Sequence, residues 1–416
     1  MIGKIKDKYP FIVNILSYGT YQFVNLIILI VMIPFFIGTY GVDNFGIISI
    51  AQGVGMIVAG FCDYNYMITG VREIAINHGN KNLISKMITE IIISKAIILL
   101  ILFFLGTIIF YSFERTRGIL TDLQIGIIYG FSISIIPVWA LNALHFNKPL
   151  AIFSAPIRLI SIFLIYQNLK TKNDYYLVNV YLTLGNLLAS LVIYQYLSIK
   201  KNISYKHFSL SNIKYNFQKG IFLCLSNICT SAYMNIIPLI LSLHVSPYFV
   251  GIYSLADKIM NGGRQILSIC SNIIYPYTCK AIMKKQYIKK FFLPAFGTII
   301  LSISIFVLIV FFFRIEILTL IGNKSIAKDA ELIFVILLCS LPVIAANIPF
   351  THYLYATRRE NTVSMIAIFT CVTSLILNIL ISKNYAVTGT SILLIVTELF
   401  YTVFLMYKTF KSRLIL

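Results

Sequence analysis

"VGIYSLADKIMNGGRQIL", residues 250–267, opens and closes like a membrane helix yet carries Asp257, Lys258 and Arg264 inside it. Its first eight residues also match "FGIISIAQ", residues 45–52, in Gly, Ile, Ser and Ala, 205 positions upstream. Two further pairs keep nearly the same offset. "PVWALN" at 137–142 pairs with "PVIAAN" at 342–347, and "NLIILI" at 25–30 pairs with "NIIPLI" at 235–240, one five-residue gap apart in register. A repeat of about half the chain is therefore expected, with halves 1–200 and 201–416.

Composition sets the class. Hydrophobic residues make up 59% of the 416 and charged residues 12%, with a mean hydropathy of +0.87. A soluble chain of this size cannot hide so much apolar side chain, which indicates a polytopic membrane protein. The net charge of +20 would suggest nucleic acid in a soluble protein. Here the basic residues sit in short connectors between apolar runs, as membrane insertion places them, so no nucleic-acid partner is expected. The seven cysteines form no C-x-x-C and the five histidines no H-E-x-x-H, so neither a disulfide frame nor a metal or other cofactor is expected.

A spanning helix needs about 20 apolar residues. Twelve such stretches are read at 11–37, 45–63, 87–112, 122–144, 150–168, 176–197, 219–243, 249–275, 291–313, 330–355, 363–382 and 387–407. With both termini in the cytosol, the inner segments hold twenty-two Lys and Arg against eight in the outer loops, the bias that sets orientation. Because six spans separate equivalent motifs, the two halves share one topology about an axis along the membrane normal, an arrangement in which a transporter binds substrate between its halves. The expected fold is all-α: twelve transmembrane helices in two pseudo-symmetric six-helix lobes around a central cavity.

In the eighth span, Ser254, Asp257, Lys258, Asn261, Arg264, Gln265, Ser268 and Ser271 recur at three- and four-residue steps and share one helix face. A charge facing lipid at mid-bilayer costs on the order of 3 kcal/mol, so the stripe must meet water or polar groups. Two readings stand. Structural pairing joins Asp257 to Arg264, seven residues apart on that face, or to a neighbouring helix; alternatively, the surplus of cations, joined by Arg158 in "SAPIRLIS", lines a cavity for an anion. The first span offers Asn14, Ser17, Tyr18, Tyr21, Gln22 and Asn25 at helical spacing, and the seventh Asn227, Thr230 and Ser231, faces suited to a wet vestibule or to helix packing. Lys95, about three turns into the third span, is expected either to snorkel to the inner surface or to face cargo. Glu398 in "LLIVTELFY" has no basic neighbour in sequence, which makes it a candidate proton or cation carrier or a protonated carboxyl bonded to a neighbouring helix. Glu90 is read as structural, and Asp63, Arg72 and Glu73 as shaping an inner loop.

"VGIYSLADKI" resembles the Val-Gly-x-Tyr-Ser-x-Ala-x-Lys element of lipid-linked oligosaccharide flippases, the O-antigen translocases of the polysaccharide transporter family. "DYNYMITGVREIA" at 63–75 is similar to that family's segment after span 2, "PVWALNALH" to its Pro-x-Trp element, and "NYAVTGTSILLIVTEL" to its last-span entry with a glutamate, here Glu398. The family's Gln-Gly-x-Glu after the tryptophan is replaced by Asn142, Ala143, Leu144 and His145, and a Gly before the last span by Ala386. The resemblance implies membership of the multidrug and oligosaccharidyl-lipid exporter superfamily, alternating access in the bacterial inner membrane, and cargo of an oligosaccharide on undecaprenyl diphosphate moved to the outer leaflet. Polymerase and chain-length proteins of the same pathway are implied partners, beside membrane lipids.

On this reading Arg158, Lys258 and Arg264 meet the diphosphate by charge-assisted hydrogen bonds, and Asp257, Asn261, Lys95, Asn25 and Tyr21 line the path. Glu398 and Asp257 are the candidate coupling acids. The chain is expected not to be an enzyme, and no Walker-type loop is present for ATP. The rivals are a drug or small-solute cation antiporter of the same architecture, which favours an acidic cavity, and a membrane polysaccharide polymerase, which calls for a long outer loop and clustered acids.

Overall fold

The structure, a computed structural model, describes residues 2–64, 66–67, 69–76, 80–205, 208–283 and 293–411, with most of their side chains. Within a bilayer every backbone N–H and C=O must be satisfied internally, and the described chain does this with helices alone. By their contacts the residues form two compact units, Met1–Leu239 and Ile240–Leu416.

The first unit contains α1 (Ile2–Asp63), α2 (Thr69–Ile76), α3 (Lys81–Ser112), α4 (Glu114–Arg117), α5 (Leu120–Ser134), α6 (Val138–Ala143), a π-helical turn at Leu150–Ser154, α7 (Ala155–Asn168), α8 (Leu177–Lys201) and α9 (Leu210–Asn235). After α10 (Ile237–Ser242), the second unit contains α11 (Pro247–Met283), α12 (Leu293–Phe312), α13 (Arg314–Gly322), α14 (Lys324–Leu338), α15 (Ser340–Ala356) and α16 (Glu360–Lys411). Each of the twelve predicted stretches overlaps helix. By length and composition seven helical segments among the described residues qualify as spans, or eight if Phe296–Phe312 and Arg314–Gly322, bent by 65°, count as one. The protein is thus an all-α, multi-pass membrane protein.

Polar caps mark the ends. The Asn80 side chain accepts from the Leu83 amide at 3.1 Å, and Asn323 accepts from the Ser325 and Ile326 amides, each satisfying donors that the first turn leaves open. Between α7 and α8, Asp174 accepts from the Thr171 amide and hydroxyl, bonds that hold its carboxyl below the usual carboxylate range.

Two expected loops are single-residue breaks. Gly41 (φ 83) divides α1 between the first and second predicted spans, and Ala386 (φ 47) divides α16 between the last two. Glycine adopts positive φ without penalty, whereas alanine brings its Cβ against the backbone. Ala386 is therefore strained. Ala386→Gly is expected to raise stability by about 1 kcal/mol, read as a higher melting temperature in detergent; an unchanged or lower value would refute the strain.

Close packing in the first unit rests on small residues of α1. A Cβ on Gly130 would lie 2.0 Å from the Gly55 carbonyl oxygen, and one on Gly126 2.3 Å from that of Ala51. Gly126 and Gly130 on α5, like Ala51 and Gly55 on α1, are four residues apart, the spacing that lets two membrane helices meet backbone to backbone. A second face of α1 receives α9: a Cβ on Gly53 would stand 2.6 Å from the Asn235 carbonyl oxygen and one on Gly60 2.9 Å from Ser231. The Ser231 hydroxyl donates to the Met56 carbonyl at 3.0 Å. Helix α9 thus packs with the first unit, whereas the repeat read from the sequence is expected to begin the second half at residue 201. A boundary of repetition and a boundary of packing need not coincide.

The buried core of the first unit joins two of the quoted motifs. Trp139 of "PVWALN" is 2% exposed and packs with Tyr66, Ile74, Ile88 and Leu141. Gly70 of "DYNYMITGVREIA" gives the ring room, since a Cβ there would be 2.9 Å from it. In the second unit Phe296, Tyr353, Leu354, Val363, Ile366 and Leu405 form a smaller core. The opposite pattern marks the bilayer side, where Leu100, Ile101, Phe104, Leu105, Ile108 and Ile109 of α3 all stand exposed.

Candidate functional site

Pro156 has no N–H to give the Ile152 carbonyl, and the chain absorbs the interruption as the π turn at Leu150–Ser154. Arg158 follows two residues later. Its Nε donates to the Asn186 side-chain oxygen at 2.8 Å, and its Nη1 donates to that of Asn25. The guanidinium carbon lies 5.5 Å from the centroid of the Tyr21 ring, within reach of a cation–π contact. Asn186, itself 3% exposed, is fixed in turn by donating to the Ser132 hydroxyl at 3.1 Å. Three predicted residues, Tyr21, Asn25 and Arg158, are thereby assembled from two helices.

The character of that grip decides its electrostatics. Amide oxygens accept hydrogen bonds but carry no formal charge. Among the described residues no carboxylate forms an ion pair with Arg158. The cluster therefore holds its guanidinium in place and leaves its positive charge uncancelled.

Sequence reasoning missed Asn186. Its signal was present: Asn179, Thr183, Asn186 and Ser190 follow one another at steps of four, three and four on α8, and all are buried. Gln52 on α1 donates to the Asn179 side-chain oxygen at 3.0 Å, which continues the polar line inside the unit.

Part of the first-span stripe also turns inward. The Asn14 amide donates to the His145 carbonyl and its side-chain oxygen accepts from the Asn147 amide at 2.8 Å. His145 has φ 49, so Asn14 staples a left-handed turn where the resemblance departs from its family. Gln22 donates to the Tyr18 hydroxyl at 2.7 Å. Asn227 and Thr230 lie outside the described side chains.

In the second unit, the Arg264 guanidinium donates to the Asp257 carboxylate at 3.0 Å and to the Asn261 side-chain oxygen at 2.8 Å. The Asn261 amide donates to the other Asp257 oxygen at 3.2 Å. Of the two readings of this stripe, the salt bridge is the one the structure contains, and it reduces the cation surplus expected there. Lys258, next to Asp257, is half-buried. Further along α11, Ser271 is hydrogen-bonded to the His352 ring at 2.7 Å.

Glu398 is 2% exposed and accepts from the Asn347 amide at 2.8 Å. Thr402 donates to the Asn347 side-chain oxygen and to the Glu398 carbonyl. The asparagine is the last residue of "PVIAAN", so that motif supplies the partner that the sequence around Glu398 lacks.

Lys95 does not snorkel. Its side chain is 1% exposed and its ammonium donates to Asp63 at 2.9 Å and to the Ser134 carbonyl; an inward carboxylate and carbonyl outbid the distant surface. Glu90, read as structural, accepts from the Ser209 amide at 3.1 Å and the Asn212 side chain at 3.2 Å. It thus clasps the start of α9, where a negative group complements open amides. Among the described residues no three His, Cys, Asp or Glu side chains converge to hold a metal ion.

Comparison with known proteins places this geometry. Residues 11–282 match the sequence profile of a family described as "Polysaccharide biosynthesis protein". The chain is 22% identical over 414 residues to the "Putative O-antigen transporter" of Escherichia coli (strain K12), covering 97% of each. Its fold is similar to that of the lipid II flippase MurJ, with a TM-score of 0.73 at 13% identity over 95% of this chain and 87% of that one. It is also similar to a multidrug resistance MATE family transporter of the MOP superfamily, with a TM-score of 0.71 at 14% identity over 93% and 98%.

Proposed function

The chain belongs to the polysaccharide biosynthesis protein family, and from that premise we propose that it is a flippase for undecaprenyl-diphosphate-linked O-antigen oligosaccharide units. It moves them from the cytoplasmic to the periplasmic leaflet of the inner membrane, with both of its own termini in the cytoplasm. The relative named as an O-antigen transporter and the fold of a lipid II flippase support this reading.

The observation that carries it is the Arg158 cluster. A guanidinium held by two neutral amides keeps free donors and a full charge for a phosphate oxygen, with which it can make short, strong hydrogen bonds. Within the second unit, Lys258, Asn261 and Arg264 are proposed anion-binding groups in their own right, and Asp257 and Glu398 are the acids through which ion coupling would act. A cationic drug as cargo is disfavoured by the same uncancelled charge at Arg158.

The direction agrees with the membrane potential. An inside-negative potential drives an anion outward by about 2.3 kcal/mol per charge per 100 mV. Complementation tests the reading: in a strain lacking its own flippase but carrying a defined O-antigen cluster, this chain is expected to restore surface glycan. Accumulation of the lipid-linked unit in the inner leaflet despite normal levels of the protein would refute it.

A further inference from the structure

Helix α5 ends at Ser134 because the chain breaks before Pro137. The carbonyls of a last helical turn lack intrahelical partners and form the negative end of the helix dipole. Each of two here has found a side-chain donor. Ile135 accepts from the Tyr194 hydroxyl at 2.9 Å. The amide of Val138, four residues beyond Ser134, bonds instead to Ile136 at 2.8 Å, and the Ser134 carbonyl accepts from the Lys95 ammonium.

The other oxygen on that ammonium belongs to Asp63, the last residue of α1. The carbonyls at the end of an interrupted membrane helix are ligands with which transporters hold sodium, and a carboxylate supplies the hard anionic oxygen that such cations take. Burial divides the pair unequally: the Lys95 side chain is 1% exposed and that of Asp63 40%. The acid faces an open side while the ammonium reaches the same point from within, on α3. Cys62 points its thiol at the Lys95 carbonyl, 3.9 Å away.

We infer that Asp63 and the Ser134 carbonyl form a monovalent-cation site in the first unit, and that Lys95 fills it as a tethered cation. The wild-type protein therefore needs no free ion at this place. Removing the lysine side chain empties a site whose ligands and open side remain, and sodium or potassium takes its position. This rests on the geometry of α1, α3 and α5 and not on the identity of the cargo.

The test measures the melting temperature of the purified full-length protein in sodium, potassium or choline chloride at equal ionic strength. Wild type is expected to melt alike in all three. Lys95→Ala is expected to melt lower in choline and to recover in sodium or potassium, by about 1–2 °C per tenfold rise in concentration above the dissociation constant. Asp63→Asn/Lys95→Ala is expected to lose that dependence. Should Lys95→Ala not survive extraction, Lys95→Ser is measured in the same salts, its short side chain likewise leaving Asp63 and the Ser134 carbonyl without the ammonium while its hydroxyl can bond a carbonyl of its own helix. Equal melting of the single variants in all three salts overturns the inference. So does failure of both to be held by any of the cations while Asp63→Asn/Lys95→Met accumulates normally. A sodium response in wild type that Asp63→Asn removes overturns it as well.

Discussion

Gly130→Ile is expected to leave almost no correctly folded protein. A Cβ at this position would sit 2.0 Å from the Gly55 carbonyl oxygen, and the neighbouring contacts, Gly126 to Ala51 at 2.3 Å and Gly55 to Gly126 at 2.7 Å, are also with backbone. Where a side chain meets a side chain, rotamers can yield. Here two helix backbones are already touching, so any added atom forces α1 and α5 apart along their shared length. Ordinary overpacking costs about 1–3 kcal/mol; a branched four-carbon side chain between backbones should exceed that range. The loss should appear as disappearance of the monodisperse peak in fluorescence-detected size exclusion. Gly19→Ala is the matched control, because nothing lies within 4 Å of a Cβ there. A Gly130→Ile protein that elutes and melts like wild type would mean that α1 and α5 do not meet in this way.

The second large effect concerns transport without loss of fold. In Arg158→Gln the shorter amide can still reach toward Asn186, so the protein should accumulate at wild-type level. The charge disappears, and surface glycan in the complementation strain should fall to background. Arg158→Lys separates charge from shape. Lysine keeps the charge but lacks the planar fork that lets one group bond Asn25, Asn186 and a phosphate together. Losing one charge-assisted hydrogen bond, about 1.5–3 kcal/mol, predicts a decrease of roughly ten- to a hundredfold. Normal glycan in the glutamine variant would remove Arg158 from the proposed site.

Much of this was legible in one dimension. The apolar runs of about 20 residues determined that the chain spans a membrane, because a bilayer admits little else, and the recurrence near 205 residues determined that it does so in related halves. Spacing along a helix placed Tyr21 and Asn25 on one face, and the rarity of charge in hydrocarbon marked Arg158, Asp257, Arg264 and Glu398 as residues with partners or purposes. Local patterns of this kind depend only on helix geometry and solvent, both known before folding.

Which partner each charge chose was decided by the tertiary structure. Lys95 found Asp63, 32 positions away, and Arg158 found Asn25, 133 positions away; Asp257 and Arg264, seven apart on one face, were close enough to be foreseen as a pair. The glycines of α1 and α5 read as ordinary members of apolar runs until the helices met, and the assignment of α9 to the first unit followed from Gly53 and Gly60 on the same helix. Hydrophobicity is a property of each residue and survives in the sequence. Pairing belongs to two residues at once, and only the folded chain brings the second one near.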